Sequence, residues 1–117
     1  MPKRNVTVLT PERYRARARV AKALAHPSRQ LILDLLQGRE HCVADLTQRV
    51  GADQSTVSKH LAILRQVGLV TTRRERATIY YLLTCPCLAG FWQCLDTVLL
   101  TDLQRQRAAL RGCRAPT

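Results

Sequence analysis

The chain has 117 residues, with 19 Lys and Arg against 8 Asp and Glu and a formal net charge of +11. That length suits one domain with a limited core, which dimerisation would extend, and the basic excess favours a polyanionic partner. No apolar run approaches the roughly 20 residues a membrane span needs, and the N-terminus MPKRNVTVLTPERYRARAR lacks the apolar core of a secretory signal, so no membrane partner and a cytoplasmic location with reduced thiols are expected.

The charge is concentrated early. Residues 1–29 hold Lys3, Arg4, Arg13, Arg15, Arg17, Arg19, Lys22 and Arg29 against Glu12 alone; a solvated surface explains such a stripe as readily as a bound polyanion. Residues 1–10 read as a flexible basic arm. Thr10-Pro11 starts a helix with a capping hydroxyl and a proline in the first turn, and Tyr14, Ala18, Ala21 and Ala25 follow at helical spacing. His26-Pro27 interrupts it, and Pro27 opens a second helix with Leu31, Ile32, Leu35 and Leu36 as its buried stripe, ended by Gly38. A third short helix runs from about Val43 to Val50 on Val43, Leu46 and Val50, before Gly51 turns the chain. Asp53 caps a fourth, whose inner face is Val57, Leu61 and Leu64 and which Gly68 closes. Residues 69–73 and 78–83 alternate and are rich in β-formers, the pattern of a hairpin. Pro86 opens the last helix, with Leu88, Phe91, Leu95, Val98 and Leu99 on one face, and residues 112–117 form a tail. The expected fold is mainly α with a β-hairpin, in the order ααααββα.

The third and fourth helices, joined by Gly51-Ala52-Asp53, have the length and turn of a helix-turn-helix. Gln54, Ser55, Thr56, Ser58, Lys59 and His60 crowd the start and outer face of the second of them. Gln pairs with adenine, Ser and Thr serve bases or phosphates, and Lys neutralises phosphate. Such a face in isolation is more often simply solvated, but here a hairpin follows that carries Arg73, Arg74 and Arg76 for phosphate or minor-groove contact. A helix of this kind before a basic hairpin reads as a winged helix-turn-helix over residues 11–111, with double-stranded operator DNA as partner. For His60 a packing role competes evenly with DNA contact.

The stretches AKALAHPSRQLILDLL, EHCVADLTQRVGADQSTVSKHLAILRQVGLV and RRERATIYYLL resemble the ArsR/SmtB family of bacterial metal- and metalloid-responsive repressors. The resemblance covers roughly residues 20–83 and implies a homodimer through the first and last helices that leaves its operator when an inducer binds. The hairpin tip departs from the family: Arg74-Glu75-Arg76-Ala77 stands where a Gly is usual.

The chain has five cysteines: Cys42, Cys85, Cys87, Cys94 and Cys113. In a reducing compartment metal binding or redox chemistry explains that number better than a disulfide framework. The family often carries its inducer site at the start of the third helix in a motif like E-L-C-V-C-D-L. Glu40-His41-Cys42-Val43-Ala44-Asp45-Leu46 keeps the first thiol and replaces the second by Ala44. The resemblance therefore implies one ligand, Cys42. Thr84-Cys85-Pro86-Cys87 offers two more on a bend that Pro86 constrains, at a helix start that favours thiolate. Cys94 lies seven residues past Cys87, about 10 Å along a helix axis, whereas thiolates sharing one ion at about 2.3 Å each lie within roughly 4–5 Å of one another. The expected ligands are thus Cys42, Cys85 and Cys87, then Cys94, which core packing explains equally well; Cys113 reads as a bystander. Residues 86–110 contain no His and only Asp96 and Asp102 as acids, unlike family members that bind zinc on the last helix. An all-thiolate site suits a soft ion. Three thiolates fit arsenite or antimonite, the expected inducers; four fit cadmium, lead or zinc. No organic cofactor is expected.

Other functions compete. A thiol-redox or persulfide switch on the same scaffold is the main rival, although Leu31–Gln37 lacks the second-helix Cys that such family members tend to carry. A thiol phosphatase or arsenate reductase needs a Cys separated from an Arg by five residues around a phosphate loop. Cys42 and Cys87 have Gln48 and Gln93 at that place, and no Cys-x-x-Cys exists, so no enzyme is expected. A structural zinc module would unfold on losing its metal, whereas a sensor stays folded.

Overall fold

The computed structural model describes residues 6–114, of which 112–114 by backbone alone. Residues 1–5 of the expected arm and 115–117 of the expected tail lie outside the described residues, as does the Cys113 side chain. The elements are α1 (Pro11–Leu24), α2 (Pro27–Gly38), β1 (His41–Cys42), α3 (Val43–Val50), α4 (Gln54–Gln66), β2 (Val70–Glu75), β3 (Thr78–Leu83) and α5 (Leu88–Arg114). They fall into two compact units, residues 1–84 and 85–117.

In the first unit the helix ends follow local chemistry. Thr10 Oγ1 accepts from the Arg13 amide at 3.3 Å, and Asp53 Oδ1 accepts from the Thr56 amide at 2.8 Å, each satisfying a donor that the first helical turn leaves free. Gly51 ends α3 at φ 76°. Gly68, at φ 85°, ends the α4 turn, with the Leu69 amide donating back to the Leu64 carbonyl at 3.0 Å in the pattern of a Schellman cap.

The core of this unit is Ile32 and Leu33 of α2, Leu46 of α3, and Val57, Leu61 and Leu64 of α4, with Ala23, Leu24, Leu69 and Val70 around it. The stripe expected on α2 is displaced. Leu33 is fully buried, while Leu31 is exposed and Leu35 half-buried. The stripe Tyr14, Ala18, Ala21, Ala25 of the first helix is exposed, and only Ala23 and Leu24 of α1 are buried.

The sheet has three strands in the order β1-β3-β2, all antiparallel. The expected order ααααββα lacked β1. This strand has two residues, too few to show alternation, and exists because His41 pairs with Tyr81 and Cys42 with Tyr80. The hairpin pairs Val70 with Leu83 through Glu75 with Thr78, leaving Arg76-Ala77 as a two-residue loop. Arg76 takes φ 58° while Ala77 stays negative. A positive φ at the first central position alone is the pattern of a II′ turn, where Gly is the unstrained residue.

In the second unit α5 begins at Leu88, two residues after Pro86, and runs to Arg114, so the expected tail is helical over 112–114. Leu88 is buried, whereas Phe91, Leu95, Val98 and Leu99 of the same expected face are exposed, together with Leu100, Leu103 and Leu110. Among the described residues no helix is long and apolar enough to cross a membrane.

Candidate nucleic-acid interface and thiol sites

Asp53 sets where α4 begins and therefore which side chains lead it. Its Oδ1 also accepts from Ser55 Oγ at 3.2 Å, and the Thr56 and Ser55 hydrogen bonds hold its carboxyl below the ordinary carboxylate range. The cap thus remains charged at neutral pH, where a negative group at a helix N-terminus is favourable. Gln54, Ser55, Thr56, Ser58 and Lys59 are all exposed from this capped start.

His60 does not join them. It is buried, in line with Val57, Leu61 and Leu64. Its Nδ1 accepts from Arg29 Nε at 3.1 Å, and its ring centroid lies 4.5 Å from that of His26. Burial, then the charges of His26 and Arg29, push its pKa down. Of the two roles open to this histidine, the structure supports packing. Arg65, which was not among the expected contacts, is exposed and lines a cavity of about 420 Å³ with Ser58, Ala62, Gln66 and Tyr81 of β3. It follows Ser58 by seven residues on the same helical face, the spacing that could have disclosed it.

The wing arginines divide. Arg73 Nε donates to Glu40 Oε2 at 2.7 Å, a second guanidinium nitrogen bonds the other Glu40 oxygen, and Nη1 donates to Glu75 at 3.1 Å. The guanidinium also lies 4.6 Å over the Tyr80 ring. This pairing holds the Glu40 carboxyl below its ordinary range and raises the pKa of Arg73. Arg73, though exposed, is thus paired with carboxylates of the protein, unlike Arg74 and Arg76 beside which it was expected. Those two are exposed and, among the described residues, paired with no carboxylate; Arg74 Nε donates to the Arg76 carbonyl at 3.3 Å. Arg74→Ala is expected to weaken DNA binding about equally on all sequences and to flatten the salt slope by about 0.9, measured by anisotropy at several salt concentrations. An unchanged slope would remove the wing from the interface.

Cys42 is half-buried at the N-cap of α3 and makes no capping hydrogen bond. Through Tyr80 it is built into the wing: Tyr80 pairs with Cys42 on one side and with Arg73 on the other, and Arg73 is bound to Glu40. Neighbouring His41 is buried and bonded to Asp45, which also meets Arg49 at 3.3 Å and Arg39 at 3.8 Å. The His41 hydrogen bond, then Arg49, hold the Asp45 carboxyl below its ordinary range. In the second unit Cys85 and Cys87 are joined as a disulfide with Cα atoms 5.3 Å apart, where a reduced pair was expected. Cys94 is exposed on α5 with its thiol free. Among the described residues, no three His, Cys, Asp or Glu side chains gather as a metal-holding group.

The model of the arsR family of bacterial regulatory proteins matches residues 26–72, the span from the start of α2 into the wing. The uncharacterized HTH-type transcriptional regulator Rv0081 of Mycobacterium tuberculosis is 35% identical over 103 residues, 87% of this chain and 90% of that protein. Its crystal structure superposes with a TM-score of 0.73 at 33% identity, covering 84% of this chain and 98% of that one. The biofilm growth-associated repressor of Xylella fastidiosa is 37% identical over 85 residues, 73% of this chain and 75% of its own. A homodimeric winged helix-turn-helix domain from Mycobacterium bovis, described as a possible ArsR-family regulator, matches with a TM-score of 0.69 at 33% identity over 80% of this chain and 87% of its own. Fold and relatives are those of DNA-binding regulators and not of enzymes. The chain belongs to the arsR family of bacterial regulatory proteins and is a winged helix-turn-helix transcriptional regulator.

Proposed function

We propose that the protein is a homodimeric repressor of double-stranded operator DNA, released when Cys42, Cys85 and Cys87 capture arsenite or antimonite. One observation carries the DNA half: five polar side chains stand on the exposed face of a capped helix, in the same unit as a hairpin whose exposed Arg74 and Arg76 pair with no carboxylate among the described residues. Two copies of residues 54–67 would enter successive major grooves about 34 Å apart. The exposed leucines of α5 support a second copy, as does the homodimeric M. bovis domain. The name of the X. fastidiosa relative supports repression.

For the inducer, the support is the closeness of Cys85 and Cys87, whose Cα atoms lie 5.3 Å apart. Once reduced, two thiolates on that bend fit two positions around one trivalent arsenic, leaving Cys42 for the third. Capture at Cys42 would act on β1, and through Tyr80, Arg73 and Glu40 on the wing. Linkage then requires DNA and inducer to weaken each other by the same factor. The Cys85–Cys87 bond favours a second reading, in which the signal is oxidation. The two thiols lose two protons and two electrons to a hydroperoxide, which is reduced to an alcohol and water.

Titrating the reduced protein–DNA complex with arsenite, and separately with hydroperoxide, tests both. Release by arsenite at about one equivalent per site, lost in Cys42→Ser and Cys85→Ser, supports the first reading. Release by hydroperoxide alone, lost in Cys87→Ser, supports the second. Release by either agent that survives all three substitutions would refute thiol sensing at these positions.

A further inference from the structure

The buried His60 is part of a cluster that the interface does not use. His26 is the N-cap of α2, and its Nδ1 accepts from the Ser28 amide at 3.1 Å. Arg29, one turn on, donates through Nε to His60 Nδ1 at 3.1 Å and through Nη1 to the Ala23 carbonyl at 3.4 Å. One guanidinium thereby joins the end of α1, the first turn of α2 and the middle of α4. Both Nδ1 atoms act as acceptors, so both neutral rings carry their proton on Nε2. A second proton on His60 has to go to Nδ1, where the Arg29 N–H already points. It would set N–H against N–H and a cation beside Arg29, with the His26 ring 4.5 Å away.

The surroundings offer no compensation. The charges acting on His60 are those of His26 and Arg29. From α1, Arg19 and Lys22 line a cavity of about 590 Å³ together with Arg29 and with Ile63, Gln66 and Val67. The charged side chains of α3, Asp45 and Arg49, bond each other. On β2, Arg73 and Glu75 bond each other and Arg74 lies at the hairpin end. No carboxylate is among the groups that shift His60.

We propose that Arg29 and His60, with the His26 ring against them, position the reading helix as a lock that closes only while the His60 imidazole is neutral, so that operator binding weakens on mild acidification. The inference rests on the operator-binding reading above. Its direction is diagnostic. An exposed histidine that gains charge near DNA strengthens binding to the polyanion, whereas protonating this lock loosens α4 from α2. The sign follows from burial: a histidine whose folded pKa is lowered contributes stability that is complete above about 6.5 and is lost as pH falls through the lowered value.

Asn places an amide oxygen near the Nδ1 position, so His60→Asn retains the acceptor for Arg29 without titrating. Anisotropy of the protein on its upstream DNA at fixed ionic strength, between pH about 7.5 and about 5.5, reads the effect. The wild type is expected to lose affinity several-fold, with about tenfold the ceiling that one histidine sets a unit below its free pKa; His60→Asn should change by no more than about twofold. Equal profiles for the two proteins, or affinity that rises on acidification, would overturn the lock. If His60→Asn does not fold by circular dichroism, Arg29→Gln, which opens the lock at every pH, must likewise flatten the profile to about twofold or less. If no DNA is bound at any pH, the operator reading fails separately. The urea midpoint then decides the lock, falling on acidification in the wild type and staying level in the folded variant, with parallel falls refuting it.

Discussion

Leu61→Ala is expected to destabilise the protein by about 3 kcal/mol, in the range found when a fully buried leucine is truncated. Leu61 is completely buried on the inner face of α4, beside Val57 and Leu64 on its own helix, and the large side chains of its unit that are fully buried all belong to α2, α3 and α4. With so few buried side chains, little else can close on the space. A domain of this size has a total stability of about 5–15 kcal/mol, so the variant should keep its helices in mild conditions and unfold at a clearly lower urea concentration. The exposed Ala62 beside it gives the contrast: Ala62→Ser should stay within about 0.5 kcal/mol. Similar urea midpoints for Leu61→Ala and the wild type would mean that α4 is not seated as described.

The second large effect concerns recognition without stability. Gln54→Ala combined with Ser58→Ala removes two exposed side chains of α4, and neither makes a hydrogen bond that holds the helix. A good base contact contributes about 1–3 kcal/mol of discrimination. The pair should therefore lower operator affinity by about 100-fold while leaving binding to scrambled DNA, which depends on phosphate contacts, nearly unchanged. The expected outcome is a collapse of the specific-to-nonspecific ratio with no shift in the urea midpoint. Equal losses on both DNAs would make these residues phosphate contacts and move base reading elsewhere, with Arg65 next along the same face.

Much of this frame was legible because it is local. Thr10-Pro11, Gly51, Asp53 and Gly68 each act within a few residues, and all mark the helix limits where expected. The features that escaped depend on distant partners. β1 exists only through pairing with Tyr80 and Tyr81, and Arg73 is paired with Glu40, 33 residues earlier in the chain. His60 is an intermediate case. Its spacing from Val57, Leu61 and Leu64 places it on the buried face, but its polar neighbours in sequence suggested the opposite. The exposed alanines of α1 and leucines of α5 fit helical periodicity equally well, yet a single chain leaves them uncovered. Periodicity finds an apolar face without naming what covers it.

The thiols show the same division. The adjacency of Cys85 and Cys87 follows from spacing around Pro86 and is what the structure displays. Which further thiol joins them does not follow from spacing, since Cys42 belongs to the first unit and Cys94 lies on the long helix of the second. That assignment depends on a ligand.

The decisive measurement is fluorescence anisotropy of the reduced protein on DNA from its own upstream region and on a scrambled duplex, at one physiological salt concentration. The upstream fragment should bind at least about 1,000-fold more tightly, the lower end of the range for specific recognition. Equal affinity for the two would contradict operator reading by α4 and leave only a basic surface that binds any polyanion.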